Sequence, residues 1–301
     1  MVYGTRMRRN DHILVTGASG FIGSHLITQM VDSNDISILT RLDPNLTRIK
    51  SCLSRLNIIQ MDGNDNWIKE IKILQERYSL KIIHLATSYT DELAILESNI
   101  VMPMKIIDVL EPINDHIFFN TDTFFGKCSH KSGILPKYTQ SKIEFYRKAQ
   151  EECLKKNIKI INLRLEHIYG SNDNPRKFVP WLIRNLMENK ERIELTQCDH
   201  VRDFLNVLDT VSAYKVLLRN IDHIDANVEI SIGSGSATVV KDFVLLAKKL
   251  LNSSSELCFG TIKDREDIKW SVGDPEFLCR LGWKQNVNLE DGIQKLFHSL
   301  K

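Results

Sequence analysis

Three glycines at fixed spacing follow directly on the first apolar segment of the chain. Residues 12–15 have the apolar character of a buried strand, residues 22–30 have a helical pattern, and TGASGFIG lies across the junction between them. Glycines at these places let the backbone turn sharply, approach a phosphate and pack the helix on the strand, and the helix N-terminus adds free N–H groups. The pattern predicts a pyrophosphate cradle, the alternative being a purely structural turn. Its residues are Gly17, Ser19, Gly20, Phe21, Ile22 and Gly23.

The first half of the chain alternates between strand-like and helix-like segments. Short apolar runs occupy residues 12–15, 36–39, 58–61, 81–85, 116–120 and 159–163, and helical patterns occupy residues 22–30, 92–110 and 140–154. Strands separated by helix-length connections form a parallel sheet that is covered on both faces. We therefore expect an α/β protein with a Rossmann-like, doubly wound parallel sheet and a smaller C-terminal substrate-binding lobe.

A turn-rich break at residues 171–176 (SNDNPR) separates this alternation from a less regular second part. The break predicts a dinucleotide-binding domain over residues 1–170 and a lobe over residues 171–301, with helices at 238–251 and 289–300. Residues 209–218 also have a helical pattern, and we expect residues 200–225 to pack back on the first domain.

Composition excludes several classes of protein. The 301 residues carry 40 Lys and Arg against 38 Asp and Glu, so there is no cationic surplus to bind nucleic acid. No run approaches the 18 apolar residues that span a membrane, and the first thirty residues have no signal-peptide apolar region. The six cysteines are scattered without a CxxC pair, which predicts reduced thiols and no metal site. We expect a cytoplasmic protein.

The end of the second strand bears on the choice of cofactor. A dinucleotide site usually places an acidic residue there to bind the ribose hydroxyls, but this chain has Thr40 and Arg41. An arginine can pair with a 2′-phosphate, so Arg41 favours NADPH over NAD, unless it is merely a surface charge. After the third strand, Asp62 and Gly63 are candidates for contact with the adenine, with a solvated turn as the alternative.

A tyrosine and a lysine one helical turn apart suggest proton transfer. Tyr138 and Lys142 lie four residues apart at a helix start, so their side chains share a face. A neighbouring ammonium can lower a phenol pKa by on the order of 1–3 units, which would make Tyr138 a general acid at neutral pH. Thr121 ends the preceding strand, and its hydroxyl is a candidate hydrogen-bond donor to the same substrate oxygen.

These features together resemble the extended short-chain dehydrogenase/reductases, the group of nucleotide-sugar epimerases and dehydratases. The resemblance rests on residues 16–23, the His84-Leu85-Ala86 segment, Thr121, Tyr138, Lys142 and Arg202-Asp203-Phe204, and it covers nearly the whole chain. It implies that Tyr138 and Lys142 also bind the cofactor. It assigns four more residues to the cofactor, namely Leu85, Ala86, Thr87 and Leu165.

Longer segments resemble those members of the group that reduce CDP-linked 4-keto-deoxysugars. These segments are NTDTFFGK at 120–127, RLEHIYG at 164–170, KFVP at 177–180 and LGWK at 281–284. The resemblance implies transfer of hydride from NADPH to the C4 ketone of a CDP-4-dehydro-3,6-dideoxyhexose, in a route to O-antigen or a related glycan. Tyr138 would then donate the proton, Lys142 would activate it, and Thr121 would bind the carbonyl. The implied substrate-binding residues are Thr121, Asp122, His167, Lys177, Phe178, Val179, Arg202 and Arg265.

Other activities within the group stay open. A 4,6-dehydratase carries Asp and then Glu after the catalytic Thr, whereas this chain has Asp122 followed by Thr123, so one of the two acids is missing. A 4-epimerase needs the same Tyr and Lys but retains NAD through its reaction cycle. Arg41, in place of an acidic ribose ligand, disfavours tightly bound NAD. A 4-ketoreductase for another nucleotide sugar and a non-catalytic NADP-binding protein are further alternatives. The resemblance also implies a homodimer formed through residues 92–110 and 140–154.

Overall fold

The computed structural model describes residues 11–89, 91–112, 115–127, 135–264 and 268–301. Its strands are β1 (Asp11–Thr16), β2 (Ile36–Arg41), β3 (Leu56–Met61), β4 (Ser79–His84), β5 (Ile117–Thr123), β6 (Lys159–Leu165), β7 (His167–Tyr169), β8 (Arg192–Leu195), β9 (Val201–Arg202), β10 (Phe204–Asn206), β11 (Val228–Ile232), β12 (Thr238–Val239) and β13 (Glu256–Phe259). Its α-helices are α1 (Phe21–Met30), α2 (Asn66–Gln75), α3 (Glu92–Leu96), α4 (Met102–Val109), α5 (Pro136–Lys155), α6 (Phe178–Met187), α7 (Val207–Arg219), α8 (Val240–Leu250), α9 (Glu276–Arg280) and α10 (Leu289–Leu300). A π turn at Glu97–Val101 joins α3 to α4, and 3₁₀ turns cover Thr47–Arg55, Phe124–Lys127 and Ile221–His223.

Seven strands form one sheet in the order β11-β6-β5-β4-β1-β2-β3. β1 pairs in parallel with both β2 and β4, and β3 and β5 extend the sheet on either side. The chain runs outward from β1 in one direction and then, from β4 onward, in the other. This reversal opens a crevice at the carboxyl ends of β1 and β4, where open α/β sheets bind ligands. The predicted Rossmann-like, doubly wound sheet is confirmed.

The chain divides into two compact units. The sheet unit contains the described part of Met1–Gly126 together with Leu135–Arg164 and Lys215–Ile230, and the C-terminal unit contains mainly Leu165–Tyr214 and Ser231–Lys301. The segment that returns to the sheet unit therefore begins at Lys215, later than the expected 200–225. It includes most of β11, which forms the edge of the sheet.

Helix α5 is fixed to the sheet by an apolar stripe. Phe145, Ala149 and Cys153 recur every four residues, are completely buried, and pack in one cluster with Ile82 and Phe118 of the central strands. Burial of a large apolar side chain stabilises a fold by roughly 1.5–3 kcal/mol, so this stripe anchors the helix firmly. The first turn of α5 is thereby fixed relative to the end of β5.

The C-terminal unit has its own core, built around aromatic rings. Phe204 of β10 stacks on Phe243 of α8 with ring centroids 4.2 Å apart, and Tyr169 of β7 packs edge-on against both. Leu182 of α6 and Ile293 of α10 belong to the same buried cluster. Strand β7, which carries the candidate substrate residue His167, and its partner β10 are therefore set on a rigid support.

Two elements of the sheet unit were not assigned from the sequence. Helix α2 buries Trp67 and Ile71, and Ile68 and Leu74 pack against the same core, so its apolar residues have a helical spacing that was overlooked. Strand β11 lies far along the chain from its neighbour β6, and no local pattern indicates that pairing. Among the described residues the cysteines at 52, 153, 198, 258 and 279 are free, and no described helix meets the length and hydropathy of a membrane span.

Candidate active site

The glycine-rich segment forms a tight turn between β1 and α1. Gly17 has a φ of +71°, and the Gly20 N–H donates to the Gly17 carbonyl at 3.0 Å. Gly20 caps α1 without a side-chain hydrogen bond, and the first turn of the helix contains no acidic residue. The N-terminal N–H groups of α1 thus have neither a side-chain cap nor a repelling carboxylate, which suits an anion.

Two of these glycines are required by close backbone contacts. A Cβ atom on Gly17 would lie 2.5 Å from the Ala86 nitrogen, and one on Gly23 would lie 2.2 Å from the Gly17 oxygen. The Leu85 and Ala86 N–H groups donate to the backbone oxygen and the hydroxyl of Thr16, each at 3.2 Å. The structure therefore brings the glycine turn together with the segment after β4 that was assigned to the cofactor.

Of two arginines at and after the end of β2, one contacts the glycine turn. Arg41 is the last residue of β2 and is exposed, and the Arg48 guanidinium donates to the Ser19 carbonyl at 3.4 Å. Sequence reasoning missed Arg48, because nothing local links the 3₁₀ turn that carries it to the glycine turn. Phe21 and Ile22 begin α1 and are partly buried.

Asp62 and Gly63 form the turn that leads into α2. The Asp62 carboxylate accepts hydrogen bonds from the Asn64 N–H at 3.1 Å and from the Asn66 amide at 2.7 Å, and Gly63 has a φ of +77°. These contacts explain both residues by their role in the turn. A contact with the adenine stays a prediction.

A dinucleotide fits the residues that are present. The glycine turn has no room for a Cβ atom, and the N-terminus of α1 has no side-chain cap, so both suit a pyrophosphate. Arg41 ends β2, where a ribose or its phosphate is expected. Leu165 ends β6 and is buried. Its assignment to the cofactor stays a prediction.

Tyr138 lies in the first turn of α5, and its hydroxyl hydrogen-bonds the side chains of Thr123 and Thr87. The ring of Tyr89 packs edge-on against it, with centroids 5.7 Å apart. Thr87 follows β4 and Thr123 ends β5, so two neighbouring strands orient the phenol. The sequence singled out Thr121 as the hydroxyl near Tyr138 and did not identify Thr123 as its partner.

The expected direction of the Tyr138 pKa shift was wrong. The pKa of Tyr138 is raised well above its usual value because the phenol is desolvated and because the Asp122 carboxylate lies near it. Spacing on the helix placed Lys142 one turn after Tyr138, but it could not show the burial or the carboxylate, and an effect of the ammonium on the phenol stays a prediction. A raised pKa keeps the phenol protonated at neutral pH, as a proton donor requires.

Lys142 lies one turn after Tyr138 on the same helix and is 2% exposed. Its ammonium donates to the Thr121 carbonyl at 3.0 Å. Burial lowers the pKa of Lys142 to about 8, and the charge of Asp122 partly offsets this effect. Most Lys142 side chains are therefore charged at pH 7. The Thr121 backbone holds this ammonium, and the contact of the Thr121 hydroxyl with a substrate stays a prediction.

Asn99 is a positioning residue that sequence reasoning missed. It lies in the π turn between α3 and α4 and is completely buried. Its amide oxygen accepts from the Thr87 hydroxyl and the Ser88 N–H, and its amide nitrogen donates to the Ser88 carbonyl and the Ser141 hydroxyl, all at 2.9–3.0 Å. Ser141 in turn donates to the Tyr138 carbonyl at 2.7 Å. Asn99 therefore ties the segment after β4 to the turn of α5 that carries Tyr138. The π turn is the only local feature that marks Asn99, and a π turn cannot be predicted from this sequence.

Candidate substrate residues of the C-terminal unit lie close together along the chain and in space. His167 begins β7, opposite Phe204 of β10, and the two rings meet edge-on at 4.9 Å. Burial and, to a smaller extent, the charges of Lys177, Arg202 and His200 together lower the pKa of His167 to about 3, so this histidine is neutral at physiological pH. The structure thus brings three of the predicted substrate residues, His167, Lys177 and Arg202, into one cationic neighbourhood.

The side chains of the other predicted substrate residues differ in exposure and in contacts. Arg202 is 4% exposed and donates to the Val201 carbonyl at 2.8 Å, and Lys177 pairs with Asp173 at 3.0 Å. Phe178 packs partly on the core of this unit, and the Val179 side chain is buried within it, so only the backbone of Val179 could reach a ligand. Arg265 lies outside the described residues.

Proteins of similar sequence and similar fold are known. The profile of the NAD dependent epimerase/dehydratase family matches residues 13–233. The chain is 30% identical to the CDP-abequose synthase of Salmonella typhimurium, over 96% of this chain and 98% of that protein, and 32% identical to the CDP-abequose synthase of Salmonella muenchen, over 95% and 97%. Its fold matches the UDP-glucuronic acid 4-epimerase from Bacillus cereus in complex with UDP-glucuronic acid and NAD, with a TM-score of 0.81, 21% identity, and coverage of 96% and 98%.

Proposed function

The chain belongs to the NAD dependent epimerase/dehydratase family, and from this membership and the site geometry we propose that it is an NADPH-dependent 4-ketoreductase for a CDP-linked deoxysugar. Its substrate would be a CDP-4-dehydro-3,6-dideoxyhexose, reduced as in a CDP-abequose synthase. The observation that carries the proposal is the Tyr138 hydroxyl, held by Thr123 and Thr87, one helical turn before the buried Lys142. Similarity to two proteins named CDP-abequose synthase supports the choice of sugar nucleotide.

The proposed reaction adds a hydride and a proton across the C4 carbonyl. A bound NADPH would supply the hydride, and the glycine turn at residues 17–23 would hold its pyrophosphate. Tyr138 gives its phenolic proton to the carbonyl oxygen, which becomes the C4 hydroxyl. The charged Lys142 stabilises the phenolate that remains, and Thr123 and Thr87 keep the phenol oxygen in place.

Thr123 argues against a dehydratase. It occupies the position at which dehydratases of this group carry the second acidic residue, and its hydroxyl is engaged with Tyr138. A threonine cannot act as a carboxylate base, so loss of water would need another group. Reduction and epimerization both remain compatible with the tyrosine and the lysine, and the cofactor distinguishes them.

Turnover of NADPH tests the proposal. We expect the purified protein to consume NADPH when the 4-keto CDP-sugar is added, in proportion to the sugar reduced, with absorbance as the measurement. Oxidised cofactor bound to the protein as isolated, together with interconversion of 4-epimers, would instead identify an epimerase. Binding of NADPH without turnover of any 4-keto nucleotide sugar would favour a non-catalytic NADP-binding protein.

Replacing Arg41 with alanine tests the choice of cofactor. Loss of a charge-assisted hydrogen bond costs about 1.5–3 kcal/mol, so the preference for NADPH over NADH should fall roughly 10- to 100-fold. The ratio of the two dissociation constants, measured by nucleotide fluorescence, gives this preference independently of turnover. Arg55→Ala is the control, because Arg55 is also exposed and pairs with Asp32 instead. An unchanged ratio in Arg41→Ala would remove Arg41 from the cofactor site.

We further propose a homodimer in the cytoplasm, in a route to O-antigen or a related glycan. Leu93 on α3 is 76% exposed, and Leu96 and Ile143 on α3 and α5 are also exposed, which suits burial against a second copy. Light scattering at micromolar concentration should give the mass of two chains. The mass of one chain would contradict the dimer.

A further inference from the structure

We propose that Asn162 and Glu229 are positioning residues that hold Asp122 as the counter-charge of Lys142. This inference rests on the proposed function, because it concerns the group that activates Tyr138. Asn162 lies on β6, which is next to β5, and Glu229 lies on β11, the edge strand beyond β6. Neither residue was singled out from the sequence.

A continuous chain of hydrogen bonds joins the three strands. The Asn162 amide nitrogen donates to Asp122 Oδ2 and to Glu229 Oε2, each at 3.0 Å, and its amide oxygen accepts from Asn120 at 2.7 Å. The Glu229 carboxylate also accepts from the Arg164 guanidinium at 2.5 Å. Asn162 is completely buried and its bonds to Asp122 and Asn120 are made away from water, whereas the Glu229–Arg164 pair lies towards the surface.

Asp122 is fixed from two sides. Its Oδ1 accepts from the Thr123 N–H at 2.8 Å, while Asn162 holds Oδ2, so the carboxylate has a single orientation. The same Thr123 that braces Asp122 through its backbone bonds Tyr138 through its hydroxyl. The network therefore connects the outer strand of the sheet to both Lys142 and Tyr138.

The charge of Asp122 acts on groups of helix α5. It raises the pKa of Lys142 against the effect of burial, and together with Glu229 it contributes to raising the pKa of Tyr146, one turn further along the helix, to about 12. Among the described residues Lys142 also acts on His84 of β4, whose burial, together with the charge of Lys142, holds its pKa well below the usual value. His84 is neutral at working pH, so Asp122 is the fixed negative charge that favours the ammonium.

The consequence is a defined alkaline limit for the reaction. Lys142 acts in its charged form, so activity is lost as the pH rises through its pKa. Without Asn162 the Asp122 carboxylate loses a donor and its orientation, its support for the ammonium weakens, and the pKa of Lys142 falls. The alkaline limb of kcat/KM should then move to lower pH, while the rate well below that limb changes much less.

The main test is Asn162→Leu, which keeps the side-chain size and removes the amide. We expect the alkaline limb to move down by about one pH unit, so that the charged fraction of Lys142 at pH 8 falls from about one half to about one tenth. Glu229→Gln is the milder variant and should move the limb in the same direction by less. Glu144→Gln is the control, because it breaks an ion pair with Lys148 on the exposed face of α5.

A readout independent of turnover accompanies the pH profile. In protein labelled with ¹³Cε-lysine, the Lys142 resonance is assigned by its loss in Lys142→Met, and its pH titration gives the pKa directly. If Asn162→Leu does not fold, Glu229→Gln decides. A Lys142 titration unmoved in a folded variant would overturn the inference, as would an equal loss of rate at every pH. Absence of reductase activity in the wild type would refute the proposed function, and the titration would still decide the role of the network.

Discussion

Tyr138→Phe lowers kcat for reduction of the 4-keto sugar nucleotide by about 10²–10⁴-fold, the usual contribution of a positioned general acid. The substitution removes one oxygen and leaves the ring against Tyr89, so the packing of the first turn of α5 is retained. The proton for the C4 oxygen then has to come from water. We expect little change in the KM for NADPH, because the loss falls on the transition state. Steady-state kinetics with both substrates varied would measure it.

The matched control for this variant is Tyr78→Phe. Tyr78 also lies in the sheet unit, but it packs on His12 at the amino end of the sheet, with ring centroids 5.0 Å apart. It should keep the wild-type kcat. A Tyr138→Phe enzyme with full turnover would contradict the mechanism, whatever cofactor or sugar the protein uses, because Tyr138 is the proposed proton donor to the carbonyl oxygen.

Local patterns were sufficient for the features that depend on neighbours along the chain. The glycine spacing and the strand–helix alternation predicted the sheet, and the four-residue interval predicted that Tyr138 and Lys142 share a face of α5. These signals are local because a turn conformation and a helical period are set by adjacent residues.

The remaining features depend on strand order. Asn99 reaches Tyr138 through Thr87 and Ser141, and Asn162 meets Glu229 only because the chain returns after α7 to place β11 beside β6. The sign of the Tyr138 pKa shift failed for the same reason, since burial and the Asp122 charge come from tertiary packing. Such contacts join residues far apart in the chain, and a single sequence carries no periodicity that reveals them.

Gly23→Ala is expected to damage both stability and cofactor binding, although it adds one methyl group in a helix that would otherwise favour alanine. The new Cβ would lie 2.2 Å from the Gly17 oxygen and 2.9 Å from the Ala18 Cα, and both are backbone atoms that cannot turn aside as a flexible side chain can. Either α1 moves away from β1 or the turn opens. Overpacking of this kind costs about 1–3 kcal/mol, which lowers the unfolding midpoint by several degrees.

The effect on NADPH should exceed the effect on stability, because the strain falls on the turn that receives the pyrophosphate. We expect at least about tenfold weaker binding, seen by fluorescence titration and by a smaller rise in unfolding midpoint on adding NADPH. Gly126→Ala adds the same methyl in the same unit, where no atom lies within 4 Å of the new Cβ, and should match the wild type in both measurements. Wild-type affinity in Gly23→Ala would mean that the cofactor does not use this turn, since a pyrophosphate at the N-terminus of α1 depends on the packing that Gly23 permits.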